Sequence, residues 1–213
     1  MKLAAATLLL ALSFAPAVHA DDVAGEDARL RARLAPDVAE RVLAIVHDAR
    51  ASGLPTDPLV GRALEGASRH ASGDDILTEI RRHAAALGAA RGALGADAGQ
   101  TEIAAGATAL MAGVPADSLT RLRTVRPRGS LVVSLVVMCD FLARGVPMPT
   151  AAGTVIAAAR AGTPDDAMMR MRQRVHDEIR RGVAPAGATR EALTQLLRSG
   201  PARESSPPHR RSP

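Results

Sequence analysis

Residues 131–142 are apolar on every side except at Ser134 and Asp140, and no other stretch restricts the fold as much. A helix built from them has no polar face to turn to water, so the sequence predicts that the rest of the chain encloses it. The β-branched residues in Leu-Val-Val-Ser-Leu-Val-Val would also suit a strand. Length decides: residues 130–144 contain no Gly or Pro, which is long for a strand and ordinary for a helix. Ser130 can cap the start, Gly145 can close the end in a left-handed turn, and Asp140 and Arg144 are spaced to pair on the helix surface. Val132, Leu135, Val136, Met138, Cys139 and Leu142 are the expected core of this segment. A membrane span needs about 20 apolar residues. Here Asp140 interrupts the run, and Arg128 and Arg144 bracket it too closely.

The mark that ends this segment, Gly145-Val146-Pro147, recurs as Gly53-Leu54-Pro55 and Gly113-Val114-Pro115. Gly162-Thr163-Pro164 and Gly182-Val183-Ala184-Pro185 are variants of it. Gly accepts the left-handed conformation at a helix end, the apolar residue after it folds back on the last turn, and Pro fixes the entry to the next helix. One helix or one helix pair lies between successive marks, as in α-solenoids. The signature residues of tetratricopeptide repeats are missing, and an irregular bundle with ordinary caps would carry the same marks. The fold class is therefore all-α: an array or irregular bundle of about eight short helices around the apolar helix at 130–144, with a solenoid as one form of it.

Apolar spacing places the other helices. Val38, Val42, Ile45, Val46 and Ala49 share a face of residues 36–51, and Leu59, Ala63, Leu64 and Ala67 share one of residues 58–70. Ser72-Gly73-Asp74-Asp75 opens a helix with the stripe Ile76, Leu77, Ile80, Ala84 and Leu87. Gly88, Gly92, Gly95 and Gly99 are expected to fray its end into a loop. Ala-rich helices follow at 101–112 and 149–161, with a short one at 116–123. Thr163-Pro164-Asp165-Asp166, with Thr163 as cap, opens a helix carrying Met168, Met171, Val175 and Ile179. The last helix is expected at 189–198. Residues 21–200 are long enough to form one domain with its own core.

The two ends have other signatures. Lys2, an apolar region at 3–14 and Val18-His19-Ala20 before Asp21-Asp22 form a secretory signal peptide over residues 1–20. A periplasmic or secreted location follows. Residues 201–213 read as a disordered tail rich in Pro, Ser and Arg. With Arg198, it sets Arg203, Arg210 and Arg211 against Glu204, which leaves the body nearly neutral although the chain carries +5. Nucleic-acid binding is therefore not expected. Weak contact of this tail with anionic envelope polymers is one expectation from its charge.

Absences remove whole classes of chemistry. Lys2 is the only lysine, which excludes a P-loop, a Schiff-base lysine and a Ser-x-x-Lys nucleophile from the body. There is no Trp or Tyr, and Phe141 is the only Phe beyond the leader, so stacking platforms for single-stranded nucleic acid are missing. Cys139 stands alone and cannot form an intramolecular disulfide. It reads as a small buried hydrophobe. No zinc spacing or nucleophile elbow occurs, and no cofactor or metal is expected.

The candidates that remain are dispersed. His47-Asp48 and His176-Asp177-Glu178 are neighbours in sequence, but adjacent residues on a helix point about 100° apart. His70 and His83, beside Arg69 and Arg82, read as surface histidines that could converge only from neighbouring helices. Met168, Met169 and Met171 could form a soft metal site but read as core filling. Arg170, Arg172, Arg174, Arg180 and Arg181 make a basic, solvated face. By elimination the sequence implies an exported helical module that binds another protein, as scaffold, adaptor or chaperone-like part, with partner and catalytic residues unknown. An enzyme would need a site assembled from His47, His70, His83, Asp140 and His176.

Overall fold

A computed structural model describes residues 20–199, and all regular structure among them is helical. The expected signal peptide, except Ala20, and the basic tail lie outside the described residues. Ten helices follow in order: α1 Ala20–Arg33, α2 Pro36–Ala51, α3 Asp57–Ser68, α4 Gly73–Leu94, α5 Gln100–Met111, α6 Ala116–Val125, α7 Val132–Ala143, α8 Met148–Arg160, α9 Asp165–Arg180 and α10 Pro185–Ser199. The expected all-α array is present, with ten helices where spacing implied about eight.

The Gly-x-Pro marks work as helix closures. At Gly145, with φ 79°, the N–H of Val146 donates to the carbonyl of Phe141 at 3.0 Å and that of Gly145 to Leu142 at 2.9 Å. These two bonds satisfy carbonyls that the helix end would leave bare. The same pair of bonds recurs at Gly53, Gly113, Gly162 and Gly182. It recurs once more at His70, which adopts φ 56°, the only positive-φ residue other than glycine among the described residues. His70 is thus a helix closure in glycine's place. Val114 and Val146, the residues that fold back, are buried at 2% and 3% exposure.

Every substantial helix packing joins neighbours one or two apart in the chain. Even-numbered helices form one continuous row, α2–α4–α6–α8–α10, and odd-numbered ones form a second row against it. A single apolar cluster runs through the seam between the rows, from Leu30 and Leu43 through Leu77, Leu119 and Leu135 to Val175 and Ala192. Gly106 of α5 packs directly against α4. A Cβ there would lie 2.8 Å from Leu94 Cδ1 and 3.0 Å from the Ala90 Cβ.

Besides the cap of α7, which is Leu131 and not Ser130, whose hydroxyl accepts from the Val132 N–H at 3.2 Å, four sequence expectations change here. Val136 is 42% exposed, and Val132, Cys139 and Leu142 are only partly covered, whereas Leu135 and Met138 are buried as expected. In two rows a helix meets its own row and the facing row, and its remaining side faces out. So α7, packed on α5, α8 and α9, is not enclosed. Secondly, α4 does not fray at Gly88: it continues to Leu94 and closes at Gly95, because Leu87, Ala90 and Leu94 are buried while Gly88 and Gly92 face outward. Thirdly, Pro164 rather than Thr163 is the N-cap of α9, and Thr163 is buried in the preceding closure. Lastly, α10 begins at Pro185, four residues before the expected start.

Candidate functional site

The even row is unbroken, but the odd row has a gap. Helices α1 and α3, α5 and α7, and α7 and α9 pack side by side, whereas α3 and α5 lack any comparable packing. Helix α4, the longest at 22 residues, packs against both and forms the floor between them. The result is a slot of about 470 Å³ lined by Gly61, Arg62, His83, Ala104, Ala105 and Thr108, with Pro58, Glu65, Thr101 and Val132 around them.

His83 is the unusual member. It is 6% exposed, and its Nδ1 is the one buried side-chain polar atom without a hydrogen-bond partner among the described residues. This overturns the expectation of a surface histidine. The signal was in the spacing: Ile76, Ile80, His83 and Leu87 fall on one helical stripe, which outweighs the neighbouring Arg82. Burial first, and then the charge of Arg62, hold the imidazole below the ordinary histidine range, against a smaller opposite pull from Glu79. Both favour the uncharged ring. Arg62 and Glu65 pair at 3.1 Å at the rim, half in solvent, and Thr108 Oγ1 donates to the Ala104 carbonyl at 3.0 Å.

The other candidates do not join it. His47 is exposed and pairs with Asp27 at 3.2 Å. His70 is exposed in its closure turn, and His176 is partly covered on α9. Asp140 pairs with Arg144 at 2.9 and 3.2 Å, as its spacing implied. The slot holds none of these four. Met168 and Met171 lie in the core while Met169 is exposed, so the three methionines do not share one site. Met168 Sδ accepts a bond from the buried Ser134 hydroxyl at 3.4 Å. Burial pushes the Cys139 thiol up, away from the reactive thiolate. On α9, Arg170 pairs with Asp166 and Arg181 with Glu178, which neutralises part of the basic face. Among the described residues no group of three His, Cys, Asp or Glu side chains is placed to hold a metal ion, and no helix is long and apolar enough to cross a membrane.

A larger cleft of about 800 Å³ adjoins the slot and shares Thr101 and Val132 with it. Its polar groups satisfy one another. Glu102, 6% exposed, accepts from the Leu131 N–H and from Arg123, and Arg123 also donates to the carbonyls of Leu94, Arg126 and Gly129. That cleft covers a joint between α4, α5, α6 and the start of α7. The slot, by contrast, leaves a buried group unanswered.

No family model matches the chain, and no similar curated protein or solved structure is found.

Proposed function

We propose that this chain is an exported protein-interaction module, a scaffold, adaptor or chaperone-like part that grips a partner protein in the slot between α3 and α5. The carrying observation is the break in the odd row, with His83 buried at its floor and its Nδ1 without a partner among the described residues. A buried polar group without a partner is a cost to folding, and sites for partners are where such costs persist. Two rows of short helices also offer long open faces, the use to which stacked helices are commonly put. Export to the periplasm or beyond rests on residues 1–20, and leaves a partner in the same compartment. The dispersed-residue enzyme is the weaker reading, since His83 shares its slot with none of His47, His70, Asp140 or His176.

Site-specific crosslinking tests this reading. Thr108→Cys in a Cys139→Ser background places a single thiol on the slot wall for a photoactivatable crosslinker. In native envelope preparations it is expected to capture a discrete protein. The capture should vanish when Gly61→Leu fills the slot, a change the fold tolerates because no atom lies within 4 Å of a Cβ there. Equal capture with and without Gly61→Leu would overturn the slot as the interaction site.

A further inference from the structure

We infer that the side chain received by the slot is a tyrosine of the partner, its hydroxyl bonded to the His83 imidazole. This rests on the slot being the interaction site proposed above.

The floor sets the polar requirement. A neutral imidazole carries one donor and one acceptor nitrogen; Nδ1 of His83 is closed off without a partner among the described residues, which leaves Nε2 as the edge that a partner covering the slot must answer. A hydroxyl can donate or accept, so it answers either tautomer. The lining sets the charge requirement: its two charged side chains, Arg62 and Glu65, are of opposite sign and 3.1 Å apart, with Glu79 also facing Arg62 at 4.0 Å and Arg69 facing Glu65 at 2.6 Å. A carboxylate or an ammonium entering the slot would therefore find no net opposite charge.

Shape and surroundings supply the rest. Gly61 on one wall and Ala104 and Ala105 on the other are small, with Pro58 and Val132 as apolar ends. Space of about 470 Å³ between two helices is far more than a serine or threonine side chain fills. An aliphatic chain would fill it but leave His83 unanswered. A guanidinium at the rim favours an aromatic ring over an aliphatic one. Tyrosine joins a flat apolar body to a hydroxyl tip, the combination enriched at protein interfaces. The tyrosine must come from another protein, because this chain has no Tyr or Trp and its Phe141 is fully buried.

That same absence makes the test direct. N-acetyltyrosinamide is the probe, and its fluorescence anisotropy is read without background from the protein; N-acetylphenylalaninamide is the competitor. Saturable binding of the tyrosine amide is expected, tighter than the phenylalanine amide by roughly tenfold or more, since a site shaped for a hydroxyl rejects the analogue without it. His83→Leu should bind both equally, and Gly61→Leu neither. In wild-type protein the ¹⁵N resonances of His83 should move on adding the tyrosine amide, a readout independent of any variant's folding. No binding of either amide, equal affinity in wild type, unmoved His83 resonances, or a tyrosine preference that survives His83→Leu would each overturn the inference. If the inference fails while Gly61→Leu still abolishes partner capture, the slot reading stands. If Gly61→Leu captures as wild type does, the slot reading itself fails.

Discussion

Arg123→Ala is expected to lower the stability of the fold by about 3–5 kcal/mol, the usual cost of removing one partner from a buried ion pair. The guanidinium lies 2.5 Å from Glu102, whose side chain is 8% exposed, and reaches the Leu94 and Gly129 carbonyls at 3.1 and 3.2 Å. Truncation leaves Glu102 buried with only the Leu131 N–H, and strips the donor from the end of α4 and from the loop before α7. Arg123→Lys should recover little, because an ammonium cannot reach several acceptors in a planar fork. Replacing both partners by apolar residues, Glu102→Leu with Arg123→Met, should recover much of the loss. Urea unfolding of the four variants checks this. A loss below about 1 kcal/mol for Arg123→Ala would mean that the joint is solvated like a surface pair.

The second large effect separates two neighbours on α7. Leu135→Asp should cost about 4 kcal/mol or more, because Leu135 is fully buried within the apolar cluster, where a carboxylate loses its water. Val136→Asp should stay within about 0.5 kcal/mol, because Val136 is 42% exposed. Similar losses for both would restore the picture of α7 enclosed on all sides.

That pair also marks where the sequence was legible and where it was not. The composition of residues 131–142 is apolar all round, which in an isolated helix implies enclosure. Two-row packing instead gives each helix an outward side, and which side that is depends on neighbours from distant parts of the chain. The closures at Gly53, Gly113, Gly145, Gly162 and Gly182 were legible because they are local: a left-handed turn and two bonds within six residues. His70 escaped because a histidine gives no such signal. Gly88 and Gly92 misled for the opposite reason, since tertiary burial of Leu87, Ala90 and Leu94 outweighs the propensity cost of two glycines.

The slot divides in the same way. That His83 belongs to the buried stripe could be read from its spacing with Ile76, Ile80 and Leu87. The gap between α3 and α5 could not, because it depends on how a 22-residue α4 spans two helices of 12 residues each. Asp140 and Arg144 needed only an i, i+4 spacing and were found. Glu102 and Arg123 are 21 residues apart and meet only through the fold.

A His83 buried and unanswered where a partner is to bind must show in the pH dependence of unfolding of wild type and His83→Leu. The native value of His83 is depressed, so as pH falls from about 6.5 the unfolded chain takes up a proton before the native one does, and stability declines until the native value is passed. Arg62 and Arg82 add to this decline and Glu79 opposes it. His83→Leu should remove that slope and, having no unpaired polar atom to bury, be the more stable protein at every pH in the range. A less stable His83→Leu, or the same slope in both proteins, would show instead that His83 is already satisfied within the fold.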